Sequence, residues 1–143
     1  MTATIETARD EINAQVTQAW LANADSMSLP MVYDDRKKTL PSGTKAWARV
    51  NVMHNGGYQA TLTDAEMKQR FRRLGILIIQ VFTPHNDGFK LADKLVQVLL
   101  NALEGKTTPS GVIFRNVRSN EIGPDGDFHQ TNVVAEFEYD EVK

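Results

Sequence analysis

The chain has no cysteine, which removes disulfide frameworks, thiolate nucleophiles and cysteine zinc sites together. That absence suits a reducing cytosol. It has no long apolar run either: the longest, Ile76 to Ile79, falls far short of the roughly 20 residues that span a bilayer. Met1 to Ala19 carries Glu6, Asp10 and Glu11 where a secretory signal needs a continuous apolar core, so no signal and no membrane partner are expected. Neither sign of charge dominates. Sixteen Lys and Arg against eighteen Asp and Glu leave a net charge of -2, which argues against general affinity for nucleic acid or anionic lipid.

What remains is ordinary globular material: 143 residues, 41% hydrophobic and 24% charged. A chain of this size is one domain, large enough to bury about two-thirds of its unfolded surface. No internal repeat or low-complexity tract divides it. Ile5, Ala8, Ile12, Val16, Ala19 and Trp20 fall on one helical stripe, predicting a first helix over residues 4–22 with Thr2 or Thr4 as its cap. Residues 23–45 hold Pro30, Pro41, Gly43 and a charged run from Asp34 to Lys38, and are expected to form an exposed connection with a short strand at Met31 to Asp34. The remainder, 46–143, is expected to hold the sheet and a second helix.

Trp47 to Met53 alternates as a strand, and His54-Asn55-Gly56-Gly57 followed by Tyr58 to Leu62 predicts a hairpin. Thr63 to Glu66 is expected to be a short helical turn or a loop. From Arg70 to Phe82 runs a long strand, apolar at almost every position between 74 and 82, so both of its faces are expected to be covered. Turn residues 83–88 lead into a helix over 89–103, which Gly105 ends. Its apolar positions cover roughly 200° of arc, about twice what one sheet face needs, and the surplus must meet the first helix or another subunit. Val112 to Arg118 and Gln130 to Tyr139 predict a final antiparallel pair with a long exposed tip at 119–129. The whole is an α+β domain: a mostly antiparallel sheet of about five strands with two main helices.

Chemical constellations are few, and each lacks a residue it needs. Gly105-Lys106-Thr107 resembles the end of a phosphate loop, but Leu100 stands where glycine is required and the segment ends a helix instead of opening one. Asp125, Asp127 and Glu136 match three positions of a calcium loop, yet Gln130 replaces the glycine of its sharp turn. The three histidines (His54, His85, His129) all fall in predicted turns without metal-ligand spacing. Glu136 and Glu138 share one strand face about 7 Å apart, which permits a carboxylate pair. A wet face opposite the apolar face of Val133, Ala135, Phe137 and Tyr139 explains them as well. Lys68, Arg70, Arg72 and Arg73 surround Phe71, the composition of a single-strand nucleic-acid site. Because that cluster straddles both faces of its strand, it reads better as an exposed strand entrance or as a partner for acidic residues such as Asp34-Asp35 or Glu136-Glu138. No catalytic residue, metal site or cofactor is indicated.

Taken in order, these pieces resemble the tail terminator (tail completion, or minor tail) proteins of lambda-like long-tailed bacteriophages. The resemblance rests on the opening helix ending near Trp20-Leu21, Met31 to Asp34 before a proline-bounded loop, and the Trp47 to Val52 strand. It continues through Gly75 to Pro84, Gly88, the helix with Ala92 and Leu95, and the closing Phe137 to Asp140. It implies a virion protein without enzymatic activity that forms a hexameric ring at the head-proximal end of the tail tube. That ring would end tube polymerisation, present a surface to a head-completion protein, and let DNA pass without specific binding. A head–tail connector of similar size, or a small nucleic-acid-binding domain, are the alternatives. Asp34, Asp35, Arg36, Lys37, Arg70, Arg72 and Arg73 are the expected interface residues, and Glu136 and Glu138 the expected lumen face.

Overall fold

The computed structural model describes residues 1–33, 45–62, 66–85 and 88–143. Helix α1 spans Ile5–Ala22 and is capped by Thr4, whose hydroxyl accepts a hydrogen bond from the Thr7 amide at 3.1 Å. Ala8, Ile12, Val16 and Trp20 recur at every fourth position and are all buried, so a single face of the helix enters the core. The turn after α1 is held by side chains. The Ser26 hydroxyl donates to the Trp20 carbonyl at 2.6 Å, and the Trp20 indole N–H donates to the Leu29 carbonyl at 2.9 Å.

Five strands follow: β1 (Met31–Tyr33), β2 (Trp47–Gln59), β3 (Arg70–Pro84), β4 (Ile113–Asp125) and β5 (Phe128–Val142), with helix α2 (Gly88–Leu103) between β3 and β4. Their order across the sheet is β1-β2-β3-β5-β4; β1 runs parallel to β2 and every other pair is antiparallel. The α+β architecture with a mostly antiparallel sheet is the expected one. β3 is the central strand and pairs with β5 along its whole length.

The core lies on one side of the sheet. Leu77, Ile79 and Val81 alternate along β3 toward the two helices, joined by Val50 from β2 and Val133, Ala135 and Phe137 from β5. From α2 come Leu95, Leu99 and Leu103, all fully buried. The broad apolar arc of α2 is shared between the sheet and α1: Leu91, Leu100 and Ala102 pack against the same cluster, and the Gln15 amide donates to the Ala102 carbonyl at 2.7 Å. The surplus therefore meets the first helix within the subunit. Gly75 permits a close crossing in the same layer. A Cβ there would lie 2.2 Å from the Phe137 ring and 2.4 Å from the Met53 carbonyl oxygen.

Several expectations need correction. His54 to Gly57 is no hairpin turn: β2 continues to Gln59, and a bulge between His54 and Gly56 absorbs the extra residue. The fifteen residues of β3 offer backbone partners all along that length, and long-range pairing outweighs the local turn preference. The final strands are also longer than expected, so the tip at 119–129 reduces to a tight turn at Gly126 and Asp127. The second face of β3 is not covered by any described element; both helices sit on the other side. The predicted features at 34–44, 63–65 and 86–87 lie outside the described residues.

Candidate interaction surfaces

The basic start of β3 is a built ion-pair cluster. Arg72 sits opposite Asp140 in the β3–β5 register and grips it twice, Nε to Oδ1 at 2.9 Å and Nη2 to Oδ2 at 3.2 Å. Arg70 reaches diagonally to the same carboxylate, Nη1 to Oδ2 at 2.9 Å. Hydrogen bonds from Arg72 outweigh the opposing effect of burial and, with Arg70, hold the Asp140 carboxyl below its usual range. The same pairing pushes the Arg72 guanidinium up. Arg73 points to the helix-covered side and bonds Glu141 at 3.0 Å. The cluster does straddle both faces, and within the subunit its anions come from β5. Asp34, Asp35, Arg36 and Lys37 lie outside the described residues.

The uncovered face of the sheet carries an apolar stripe. Leu74, Ile76 and Ile78 stand along β3, half-buried, flanked by Met53 on β2 and Val134 on β5. Met53 is 40% exposed although its neighbours are apolar. At one end of the face Trp47 and Phe82 stack with ring centroids 4.3 Å apart, beside Val32 and Phe128. The Arg49 guanidinium lies over both rings and donates to the Gln80 side chain at 2.6 Å. Glu136 and Glu138 project from β5 on this face, opposite Ile76 and Leu74. Glu138 forms an ion pair with Arg115 of β4, whereas Glu136 is exposed with no ion pair among the described residues.

The histidines separate into two environments. His54 lies on β2 inside a network, not in a solvent-facing turn. Arg9 of α1 donates to the Val52 carbonyl at 3.2 Å and approaches His54 Nδ1 at 3.4 Å, while His54 Nε2 is 2.7 Å from the Tyr139 hydroxyl. Arginine can only donate, so Nδ1 accepts and Nε2 carries the proton given to Tyr139. Burial first, then the charges of Arg9 and Arg73, push the His54 pKa down. His85 and His129 meet edge to face with centroids 4.2 Å apart, at the far end of the sheet. Among the described residues no group of three or more His, Asp or Glu could hold a metal ion.

Sequence reasoning did not single out Asp140, Glu141 or the apolar stripe as surface features. The continuous apolar stretch at 74–82 is a signal for the stripe, and the described residues cover only one face of it. No helix among the described residues is long and apolar enough to cross a membrane.

Comparison with known proteins agrees with this picture. A solved structure at 16% identity superposes with a TM-score of 0.69, over 94% of each chain. A second, from the virion of a native gene transfer agent particle, has a TM-score of 0.54 at 15% identity, over 92% of this chain and 96% of its own. Both share the fold. No curated protein sequence matches. The family model of phage tail terminator proteins matches residues 9–127, which takes in most of α1, all of α2, every strand but β5, and the ion-paired start of β3. The chain belongs to the phage tail terminator protein family and is a structural tail protein.

Proposed function

We propose that this chain caps the head-proximal end of the phage tail tube as a hexameric ring, ends tube polymerisation and forms the surface to which a head-completion protein joins. Family membership supports the capping role, and the gene transfer agent chain of the same fold belongs to a virion. The single structural observation behind a ring is the uncovered apolar stripe at Met53, Leu74, Ile76 and Ile78. Contiguous apolar surface of this kind marks a contact site. A ring supplies one, because each subunit offers one patch to a different patch on the next.

In this arrangement the neighbouring subunit covers the stripe. Glu136 and Glu138 lie beside it on β5 and face the lumen, where like charge keeps DNA from adhering. Arg70, Arg72 and Arg73, already engaged by Asp140 and Glu141, contribute at the rim, with Asp34, Asp35, Arg36 and Lys37 as further contacts. The engagement of those guanidiniums within the subunit speaks against a nucleic-acid site there, because phosphates would have to displace short ion pairs. Electron microscopy of tails assembled without this protein tests the reading. Tubes of uncontrolled length, unjoined to heads, are the expected result, and normal particles would refute it.

A further inference from the structure

β4 does not end flush with the helix layer. Its last residues overhang the start of α2 and leave an open groove of about 250 Å³ lined by Phe89, Glu121, Ile122, Pro124 and His129. The groove is held in shape. The His129 ring packs between His85 and Phe89, at 4.2 and 5.1 Å, and His85 Nε2 bonds the Gly126 carbonyl at 3.0 Å, tying the hairpin turn down. A bulge creates the opening. Glu121 pairs with Thr131 and Gly123 with Gln130, so Ile122 has no partner across the ladder and turns outward. Ile122 and Phe89 are each 55% exposed, on either side of the groove. Apart from the part of Phe89 that rests on His129, no described residue covers these side chains, and exposing two large apolar groups together is costly unless something covers them.

Charge selects the occupant. Residues 119–131 contain Glu121, Asp125 and Asp127 and no Lys or Arg. Among the described residues no ion pair reaches these three exposed carboxylates. We infer that the groove docks an extended, lysine- or arginine-rich segment of a second protein. One aliphatic side chain of that segment sits between Phe89 and Ile122, and its cations face Glu121 in the groove and Asp127 in the adjoining turn. The volume suits one or two aliphatic side chains, less than the pockets that enclose drug-sized ligands. Nucleic acid is disfavoured because the rim repels phosphate. In a second copy of this chain the basic cluster on the central strand is held by Asp140 and Glu141, and its Arg36-Lys37-Lys38 run lies outside the described residues. That the segment belongs to another virion protein rests on the function proposed above; the groove and its chemistry do not.

The test is an NMR titration of the full ¹⁵N-labelled chain with a synthetic pentapeptide of four lysines around one leucine. Amide shifts confined to Gly88, Phe89 and residues 120–129 are expected. The same peptide with glycine in place of leucine should bind at least about tenfold more weakly, the loss of one buried aliphatic group. Ile122→Ser should cost a similar factor, and Glu121→Gln with Asp127→Asn should abolish the salt dependence of binding; all three positions are exposed, so unchanged melting verifies the fold. Shifts centred on Glu136 and Glu138, equal binding of the glycine peptide, or no binding would overturn the inference. Because the titration uses the isolated chain, a negative result removes this groove and leaves the capping ring standing, while absence of a ring leaves the titration untouched.

Discussion

The two faces of β3 carry nearly the same residues into opposite situations. Toward the helices stand Leu77, Ile79 and Val81, each fully buried; on the other side stand Leu74, Ile76 and Ile78, half-covered by their own neighbours alone. The first face explains why the subunit folds. Apolar residues on the second are not needed for that; the ring proposed above gives them a surface to meet. A strand buried on both faces is what α/β proteins use in their interiors. Here the second covering is not supplied by any described part of the same chain.

The sharpest way to break this comparison is a matched pair of truncations within one strand. Ile79→Ala opens a cavity in the covered layer and should cost about 2–5 kcal/mol. Ile76→Ala, three residues away on the uncovered face, should cost about 1 kcal/mol, since most of what it loses was never fully removed from water. Urea unfolding of the two variants checks the difference; equal losses would mean that the open face is already covered. Gly75→Ala belongs with the first group. Its new methyl would press on Phe137 and on the Met53 carbonyl, and about 1–3 kcal/mol of overpacking is expected.

Next in size is the ion-paired end of the sheet. Asp140→Asn leaves Arg70 and Arg72 without their shared carboxylate and should cost about 1–2 kcal/mol, more than one exposed pair is worth because two arginines lose a charged acceptor. The loss depends on pH in a defined direction. Asp140 has its folded pKa held down, so its stabilising effect is complete above the ordinary carboxylate range near pH 4. It disappears as pH falls from there through the folded value. The difference between wild type and Asp140→Asn should therefore narrow in acid, as measured by thermal unfolding between pH 7 and pH 2.

A smaller effect is expected at His54. Its folded pKa is depressed by burial and by Arg9 and Arg73, so the unfolded chain takes up the proton first. Stability is then fully present above the ordinary histidine value near 6.5 and is lost as pH falls below it toward the folded pKa. Protonation also ends the role of Nδ1 as acceptor and places a third cation between two arginines. His54→Gln should remove that part of the pH dependence, and Arg9→Met should raise the His54 pKa in an NMR titration. A His54 that titrates above 6.5 would contradict the network.

Much of this was legible in the residues and some was not, for physical reasons. The four-residue spacing of Ala8, Ile12, Val16 and Trp20 announces α1, and the arc of α2 announces a helix with two neighbours. Both signals are local, and local periodicity survives into the fold. His54-Asn55-Gly56-Gly57 misleads because a turn preference of a few residues competes with twelve cross-strand partners on β3. The pairing of Arg72 with Asp140 is invisible in advance, since it depends on register between strands far apart in sequence. The apolar stretch at 74–82 was read as covered on both faces. An apolar pattern does not say whether the covering comes from the same chain, and the described residues supply it on one face only.

The smallest effect on the subunit should be the largest on assembly. Ile76→Ser changes a half-exposed side chain at the middle of the stripe, so the isolated chain should melt within a few degrees of wild type. If a neighbouring subunit covers that position in a ring, the serine hydroxyl loses its water and an apolar contact is lost at the same moment. Rings on tube ends should then become rare in electron micrographs, and tails longer. Charge reversal at Glu136 and Glu138, on the same face but one strand over, should instead leave rings in place and slow genome passage. A ring that tolerates Ile76→Ser but fails on Glu136→Lys would exchange the two assignments, putting the stripe in the lumen and the carboxylates at the subunit contact.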